Sequence, residues 1–447
     1  MAQENIDTSV ALIVGVTGMV GLSLAEALKK PTTPGSPWKI YGMARRQPAW
    51  FPSSLLDDFI SADALDRKDT TKKLAPLASQ VTYVFWVAIQ VGETEQENIT
   101  SNATMLTNVL QTLKSHPLSP LKHITLQTGT KHYLGPLFDP SLAGQLVHDH
   151  EPPFREDLPR LPYPNFYYAL EDLVASYAPS VSYSVHRSSL IVGASTRSFY
   201  NILLSLSVYA TICSHSDRHR PQSSPSHRRR DVATSPCIPF PSREDPTSHH
   251  HSRGRHGSRP TSPPPPRSAC SRLRPPRAAP ATSLRYQGLP FRYPGSKYTW
   301  EHFCDMIDAD VLAQQHIWAA VTDKAKNQAF NCTNGDVFTW KSLWRVLCEA
   351  FGVEFVPFDD ENEEFDWVGL MKDKEEVWEE IVEKHGLIQT RVKDITCPEA
   401  LSAVLHFGFQ HVCSMNKSRE FGFFGHANTM KSVPMWVQRL RAMKIIP

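Results

Sequence analysis

The stretch Val10–Lys30, VALIVGVTGMVGLSLAEALKK, decides the fold. A β-branched and aliphatic run from Val10 to Val16 leads into Gly15, Gly18 and Gly21 at GxxGxxG spacing. A helical pattern follows at once, with Leu24, Ala27 and Leu28 on one face and Lys29 and Lys30 in the last turn. Strand, tight turn and helix start together make a phosphate-binding unit: glycines let the backbone approach a pyrophosphate, and the helix end offers free N–H groups and a positive dipole. A glycine triplet alone is a weak signal, and its place between strand and helix gives it weight. A glycine-bearing turn of some other α/β protein is the alternative.

Outward from this unit, the segment KIYGMARR (Lys39–Arg46) predicts a second strand. An acidic residue at its end would bind the ribose 2′-hydroxyl of NAD. Arg45 and Arg46 stand there instead and suit the extra phosphate of NADP. A third strand in DDFISADALD ends at Asp63, which either accepts from an adenine amino group or simply initiates a turn. VTYVFWVAIQ, LKHITLQT and SYSVHRSSLIVGA supply a fourth, fifth and sixth strand. Continuous apolar strands separated by helical stretches imply a parallel sheet covered on both faces. The expected fold class is α/β, a doubly wound parallel sheet of Rossmann type over residues 8–215.

Composition sets few further limits. The chain has 447 residues, 41% hydrophobic and 21% charged, with a net charge of +2, so it can bury a large core and as a whole calls for no polyanionic partner. No charged-then-apolar leader precedes VALIVGV, and no apolar run approaches the roughly 18–20 residues of a membrane span, so a cytoplasmic, soluble protein is expected. Eight cysteines from Cys213 to Cys413 show no CxxC spacing, which indicates neither a zinc site nor a disulfide framework. The sequons at Asn98, Asn102 and Asn331 are read as unused.

One segment differs from the rest. Ser216–Gln287 holds fourteen of the 36 prolines, fourteen arginines, four acidic residues and no lysine, which gives it +10 against −8 elsewhere. Its apolar residues are too few to bury, so it reads as a disordered insertion. A basic arm for nucleic acid is the functional alternative, but no interleaved aromatics or binding module support it, and no nucleic-acid or membrane partner is expected. The tract His249–His251 gives no fixed metal site. After Gly288 the chain regains globular character: DADVLAQQHIWAAVTD has helical spacing, and NQAFNCTNGDVFTWKSLWRVLCEAFG reads strand, turn, helix. Trp300, Phe303, Trp340 and Trp344 are read as core. Residues 288–447 are expected to form a smaller lobe that caps the substrate pocket.

In a parallel sheet of this kind, ligands bind at the carboxyl ends of the strands. Lys131, in LQTGTKHYLGP (Leu126–Pro136), follows the fifth strand and so faces the nicotinamide end. No Tyr-x-x-x-Lys spacing surrounds it, and Tyr133 on the same turn points elsewhere. Better candidates open the helix in LPYPNFYYALEDLVASYA, where Phe166, Tyr167 and Tyr168 precede Glu171 and Asp172.

GVTGMVG, ARR, LQTGTKHYLGP, NFYYALEDL, NCTNGDVFTWKSLW and SMNKSREFGFF, in this order, resemble the plant progesterone 5β-reductase and iridoid synthase family, atypical short-chain-dehydrogenase-like, NADPH-dependent enone reductases of the extended Rossmann type. The resemblance covers about residues 8–215 and 288–447. It implies Lys131 and Tyr167 as the catalytic pair. It implies cofactor contacts from Gly15, Thr17, Gly18 and Met19, from Arg45, Arg46, Asp63, Ala64 and Ala88, and from Gln127, Tyr167, Ile191, Ser198, Phe199 and Tyr200. Where family members tend to have threonine, this chain has Ala88; its GPLF departs from GPF, which leaves open whether Leu137 or Phe138 lines the pocket.

The implied substrate is a small apolar enone, a Δ4-3-oxo steroid or a small or monoterpenoid carbonyl compound. Tyr167 would stabilise the enolate oxygen, and the Lys131 ammonium would lower the tyrosine's pKa and hold the cofactor. A homodimer, an epimerase or carbonyl reductase on the same fold, and a non-catalytic dinucleotide sensor remain open. Since the insertion interrupts an otherwise continuous family sequence, it reads as a retained intron or an error of gene prediction; a transcript joining His215 to Gly288 would support this, and consistent full-length transcripts would sink it.

Overall fold

The computed structural model describes residues 8–135, 150–218, 289–359 and 365–447. Leu137, Phe138, the His249–His251 tract and all but the first three residues of the Arg/Pro-rich stretch lie outside them. Those three continue a helix that runs to Arg218, past the boundary expected at Ser216.

Seven parallel strands build the main sheet. In chain order the first elements are β1 (Ser9–Val14), α1 (Met19–Leu28), β2 (Trp38–Ala44), β3 (Asp58–Ser61), α2 (Arg67–Leu74), β4 (Tyr83–Trp86), α3 (Glu95–Lys114), β5 (His123–Gly129), α4 (Phe166–Ala175) and β6 (Ser182–Ser188). They are followed by β7 (Leu190–Val192), α5 (Ile202–Arg218), α6 (Lys297–Glu301), β8 (Phe303–Cys304), β9 (Met306–Asp308), α7 (Ala309–Val321), β10 (Gln328–Cys332), β11 (Phe338–Thr339) and α8 (Trp340–Phe351). The sheet order is β10-β6-β5-β4-β1-β2-β3, reversing direction between β1 and β4. That reversal opens the crevice in which such sheets bind ligands.

β1 shows why its sequence is apolar throughout. Val10, Leu12 and Val14 pack on one face with Leu106, Val109 and Leu110 of α3. Ala11 and Ile13 pack on the other with Leu24 and Leu28 of α1 and Leu312 and Ile317 of α7. With both faces covered, each fully buried Leu or Ile stabilises the fold by about 1.5–3 kcal/mol.

Three readings change here. The sixth strand is broken at Ser189, whose hydroxyl turns to the buried Asp305. β6 stays in the main sheet, while β7 pairs with β9 in a separate parallel pair. The strand expected in the C-terminal lobe, β10, instead pairs with β6 as the edge of the main sheet. The described residues on either side of 219–287 therefore form one compact unit. Trp300, Trp340 and Trp344 are buried in a third core with Tyr209 and Phe291, whereas Phe303 is exposed at 53% and belongs to no core. α8 starts at a Thr339–Ser342 capping box and stops at Gly352 in the left-handed region, the two sequence signals that bound a helix. Among the described residues, no helix is long and apolar enough to cross a membrane.

Candidate active site

A cavity of about 1100 Å³ lies along the carboxyl ends of β1, β2, β4 and β5. Every residue that the family resemblance implies for catalysis or cofactor contact lines it, whereas Gly21 of the glycine triplet and Tyr168 do not. At Gly15 the φ angle is +94°, and a Cβ would meet the backbone N of Ala88 at 2.8 Å, so the tips of β1 and β4 touch only because glycine stands there. Gly18 is the N-cap of α1 and provides no capping side chain. A Cβ on it would find only ordinary contacts, at 3.4 Å or more, so its absence leaves space in front of the helix end. The buried Oε1 of Gln127 has no hydrogen-bond partner among the described residues. An unfilled cradle at a helix N-terminus and an orphaned polar atom on the same wall fit a dinucleotide.

At the rim, Arg45 and Arg46 are exposed just beyond β2. Asp63 initiates a turn, its Oδ1 accepting the N–H of Leu65 at 3.0 Å, and it also lines the cavity.

Lys131 occupies a short 3-10 turn directly after β5. Its ammonium is paired with the carboxylate of Glu95 and lies 4.9 Å from the centre of the Phe166 ring. Burial pushes the lysine's pKa down, and Glu95 opposes that shift. Asn165 caps α4 by accepting the Tyr167 N–H at 3.0 Å, and its amide donates to the Lys131 carbonyl at 3.0 Å. The turn that carries the lysine is thus tied to the helix that carries the tyrosine. The Tyr167 hydroxyl makes no hydrogen bond among the described residues and approaches Gly129, where a Cβ would sit 3.1 Å from it. Tyr133 does point elsewhere: it is fully buried and donates to Asn331 Oδ1 at 2.6 Å.

The sequence profile of the PRISE-like Rossmann-fold domain matches residues 55–215 and 283–447. The chain is 38% identical to (S)-8-oxocitronellyl enol synthase of Catharanthus roseus, over 98% of this chain and 92% of that one. It is 39% identical to 3-oxo-Delta(4,5)-steroid 5-beta-reductase of Arabidopsis thaliana, over 98% and 93%. The chain belongs to the PRISE family. Among solved structures it is similar in fold to the UDP-glucose 4-epimerase of Thermus thermophilus in complex with NAD, with a TM-score of 0.53 at 12% identity over 97% of this chain and 99% of that one. The likeness to the UDP-glucose 4-epimerase of Thermotoga maritima is of the same degree, TM-score 0.53 at 12% identity over 97% and 99%. At such identities these similarities concern fold and not chemistry.

In this PRISE chain the tyrosine's environment corrects one expectation. The Tyr167 pKa is raised, not lowered: burial is the main cause, and Tyr200 and Glu95 add to it. The ammonium expected to lower it is neutralised by Glu95. Sequence reasoning passed over Glu95 because Glu93, Glu95 and Glu97 look alike in the sequence. The signal was there: Thr94 and Glu97 form a capping box, which fixes the start of α3 and hence the direction of Glu95.

His411 was also missed. It lines the cavity, bonds Thr130 Oγ1 at 2.8 Å and lies 3.7 Å from Asp305, while burial lowers its pKa to about 4. Leu401, Val404 and Phe407 give the same wall an apolar stretch. The six described cysteines are buried, and no disulfide joins them among the described residues.

Proposed function

We propose that the protein reduces the C=C bond of enones with NADPH, taking Δ4-3-oxo steroids or small and monoterpenoid carbonyl compounds. Its main support is that Lys131 and Tyr167 line one cavity with the glycine turn of α1 and an apolar wall from the C-terminal residues. The family relatives named as a steroid 5-beta-reductase and an enol synthase point the same way. Gly15, Thr17, Gly18 and Met19 would hold the pyrophosphate, Arg45 and Arg46 the 2′-phosphate, and Asp63 and Ala64 the adenine end. Ala88, Gln127, Ile191, Ser198, Phe199 and Tyr200 would complete the cofactor's bed. Bound NADPH would supply hydride to the β-carbon of the enone.

The chain's own part is electrostatic. As negative charge gathers on the carbonyl oxygen, the Tyr167 hydroxyl would donate a hydrogen bond to it. Its raised pKa suits this role, since a donor must keep its proton. Lys131 would hold the ribose of the bound cofactor with its ammonium, and the enolate would take a proton from water at the α-carbon. NADPH oxidation by the full chain, with progesterone and with 2-cyclohexen-1-one, tests the proposal. Turnover is expected, with kcat lowered about a hundredfold in Tyr167→Phe. A protein that binds NADPH and turns over neither enone would overturn it.

A further inference from the structure

Besides Asn165, Glu95 links the two candidate catalytic residues, and it does so through a side-chain charge. It sits in the first turn of α3, and each of its carboxylate oxygens has a different partner. Oε1 accepts the backbone N–H of Phe166 at 2.7 Å, the first residue of α4. Oε2 holds the Lys131 ammonium. Both side chains are largely withdrawn from water, with 9% of Lys131 and 15% of Glu95 exposed. A neutral acceptor would satisfy the N–H equally well, but only a carboxylate balances an ammonium out of water.

We propose that Glu95 is the positioning residue of this site: one carboxylate fixes both the Lys131 ammonium and the start of the Tyr167 helix. The inference rests on the catalytic assignment of Lys131 and Tyr167 proposed above. Removing the charge alone withdraws support from the ammonium and withdraws repulsion from a tyrosinate, so both groups lose their protons at lower pH. Of the other titratable groups facing them, Tyr200 also raises the Tyr167 pKa, but Glu95 alone opposes the burial shift of Lys131. Glu97 is turned back to accept the Glu93 N–H at 2.8 Å. Tyr200 and Cys397 hold pKa values raised to about 12 and about 11 by burial, and His411 is uncharged near neutrality. Asp394 lies on the cavity wall and is engaged by Arg391 at 2.9 Å.

The test compares pH profiles of kcat and KM for the full chain, Glu95→Gln, Glu95→Asp and Glu95→Ala, with NADPH and 2-cyclohexen-1-one. In Glu95→Gln, which keeps an acceptor for Phe166, the alkaline limb of kcat is expected to move down by about one pH unit. Glu95→Ala, which also loses the tie to α4, is expected to lose about tenfold or more in kcat with KM little changed, and Glu95→Asp to restore part of it. Ultraviolet difference titration of each protein against the same protein carrying Tyr167→Phe reads the tyrosine without turnover, and its midpoint should fall in Glu95→Gln. An unmoved midpoint and an unmoved alkaline limb in Glu95→Gln would overturn the inference. Tyr167→Phe and Lys131→Met run alongside: if either turns over like the parent, the catalytic assignment fails, whereas loss in both with an unchanged Glu95→Gln profile defeats the Glu95 inference alone.

Discussion

The hydroxyl of Ser198 accepts the backbone N–H of Met19 at 2.9 Å. A loop far along the chain thereby supplies the side-chain cap that Gly18 lacks at the first turn of α1. Ser195 secures the same loop by donating to the Thr17 carbonyl at 2.8 Å.

Ser198→Ala removes one bond worth about 1 kcal/mol and loosens the wall that carries Phe199 and Tyr200. NADPH affinity, followed by fluorescence titration, should weaken about fivefold. Unchanged affinity would mean that the latch plays no part in shaping the bed.

Arg45 and Arg46 are exposed and lack ion pairs among the described residues, so their charge is available to a ligand. A charged hydrogen bond to phosphate contributes about 1.5–3 kcal/mol. Replacing both with alanine should lower kcat/KM for NADPH at least about tenfold and leave that for NADH little changed. An equal loss with both cofactors would assign the arginines to general attraction and not to the 2′-phosphate.

Glu171 anchors a buried network. Arg187 donates to its two carboxylate oxygens at 3.1 and 3.0 Å, and both side chains are 8% exposed. Burial alone would raise the glutamate's pKa, but His132 and Arg187 hold it down to about 2. Glu171→Gln leaves the Arg187 charge uncompensated, and the expected loss in urea unfolding is about 3–5 kcal/mol. A loss under about 1 kcal/mol would show that water reaches the guanidinium.

A histidine cluster sets the response to acid. His186 and His316 stack at 3.9 Å, and His123 joins them through Ser184. Burial lowers His123 and His316 to about 3 and His186 well below its usual range. These groups are neutral when folded and take up protons near pH 6.5 when unfolded, so their contribution is present above pH 6.5 and is lost as pH falls toward 3. Asp305, raised to about 7 by burial, acts in the opposite sense between about 3.8 and 7, as do the raised Glu156 and Asp310, but His411 and His132 are lowered by burial as the cluster is. Tm should therefore fall steadily from pH 6.5 to 4.5, and His316→Gln should reduce that slope. A flat Tm over this interval would contradict the direction.

The sheet and the nucleotide end are legible in the sequence because their causes are local. A strand buried on both faces must be apolar throughout, as Ala11–Val14 is, and a close approach such as Gly15 to Ala88 admits nothing but glycine. Lys131 and Tyr167 stand out only through motifs of a known family, and it is the family, not their role, that the relatives show. What escapes is whatever depends on side chains meeting across the chain. The direction of Glu95, the contact of His411 with Thr130, and the turn of Ser189 toward Asp305 join residues that nothing in the local sequence pairs. β10 escaped for a related reason: a short apolar strand looks the same whichever sheet it joins.

The position of β10 also bears on how the protein is made. β6 gains its outer neighbour only when Gln328–Cys332 has been synthesised, 140 residues after Ser188 (328 − 188). At about 5–20 residues per second, that interval is on the order of ten seconds. The Arg/Pro-rich stretch of 72 residues, Ser216–Gln287, accounts for about half of it. Throughout that time the nascent chain presents Ser182–Ser188 as an unpaired sheet edge, the feature that recruits other strands and leads to aggregation. A message without the stretch would halve the exposure, so the same sequence difference that leaves the finished sheet intact would change the yield of folded protein at the ribosome.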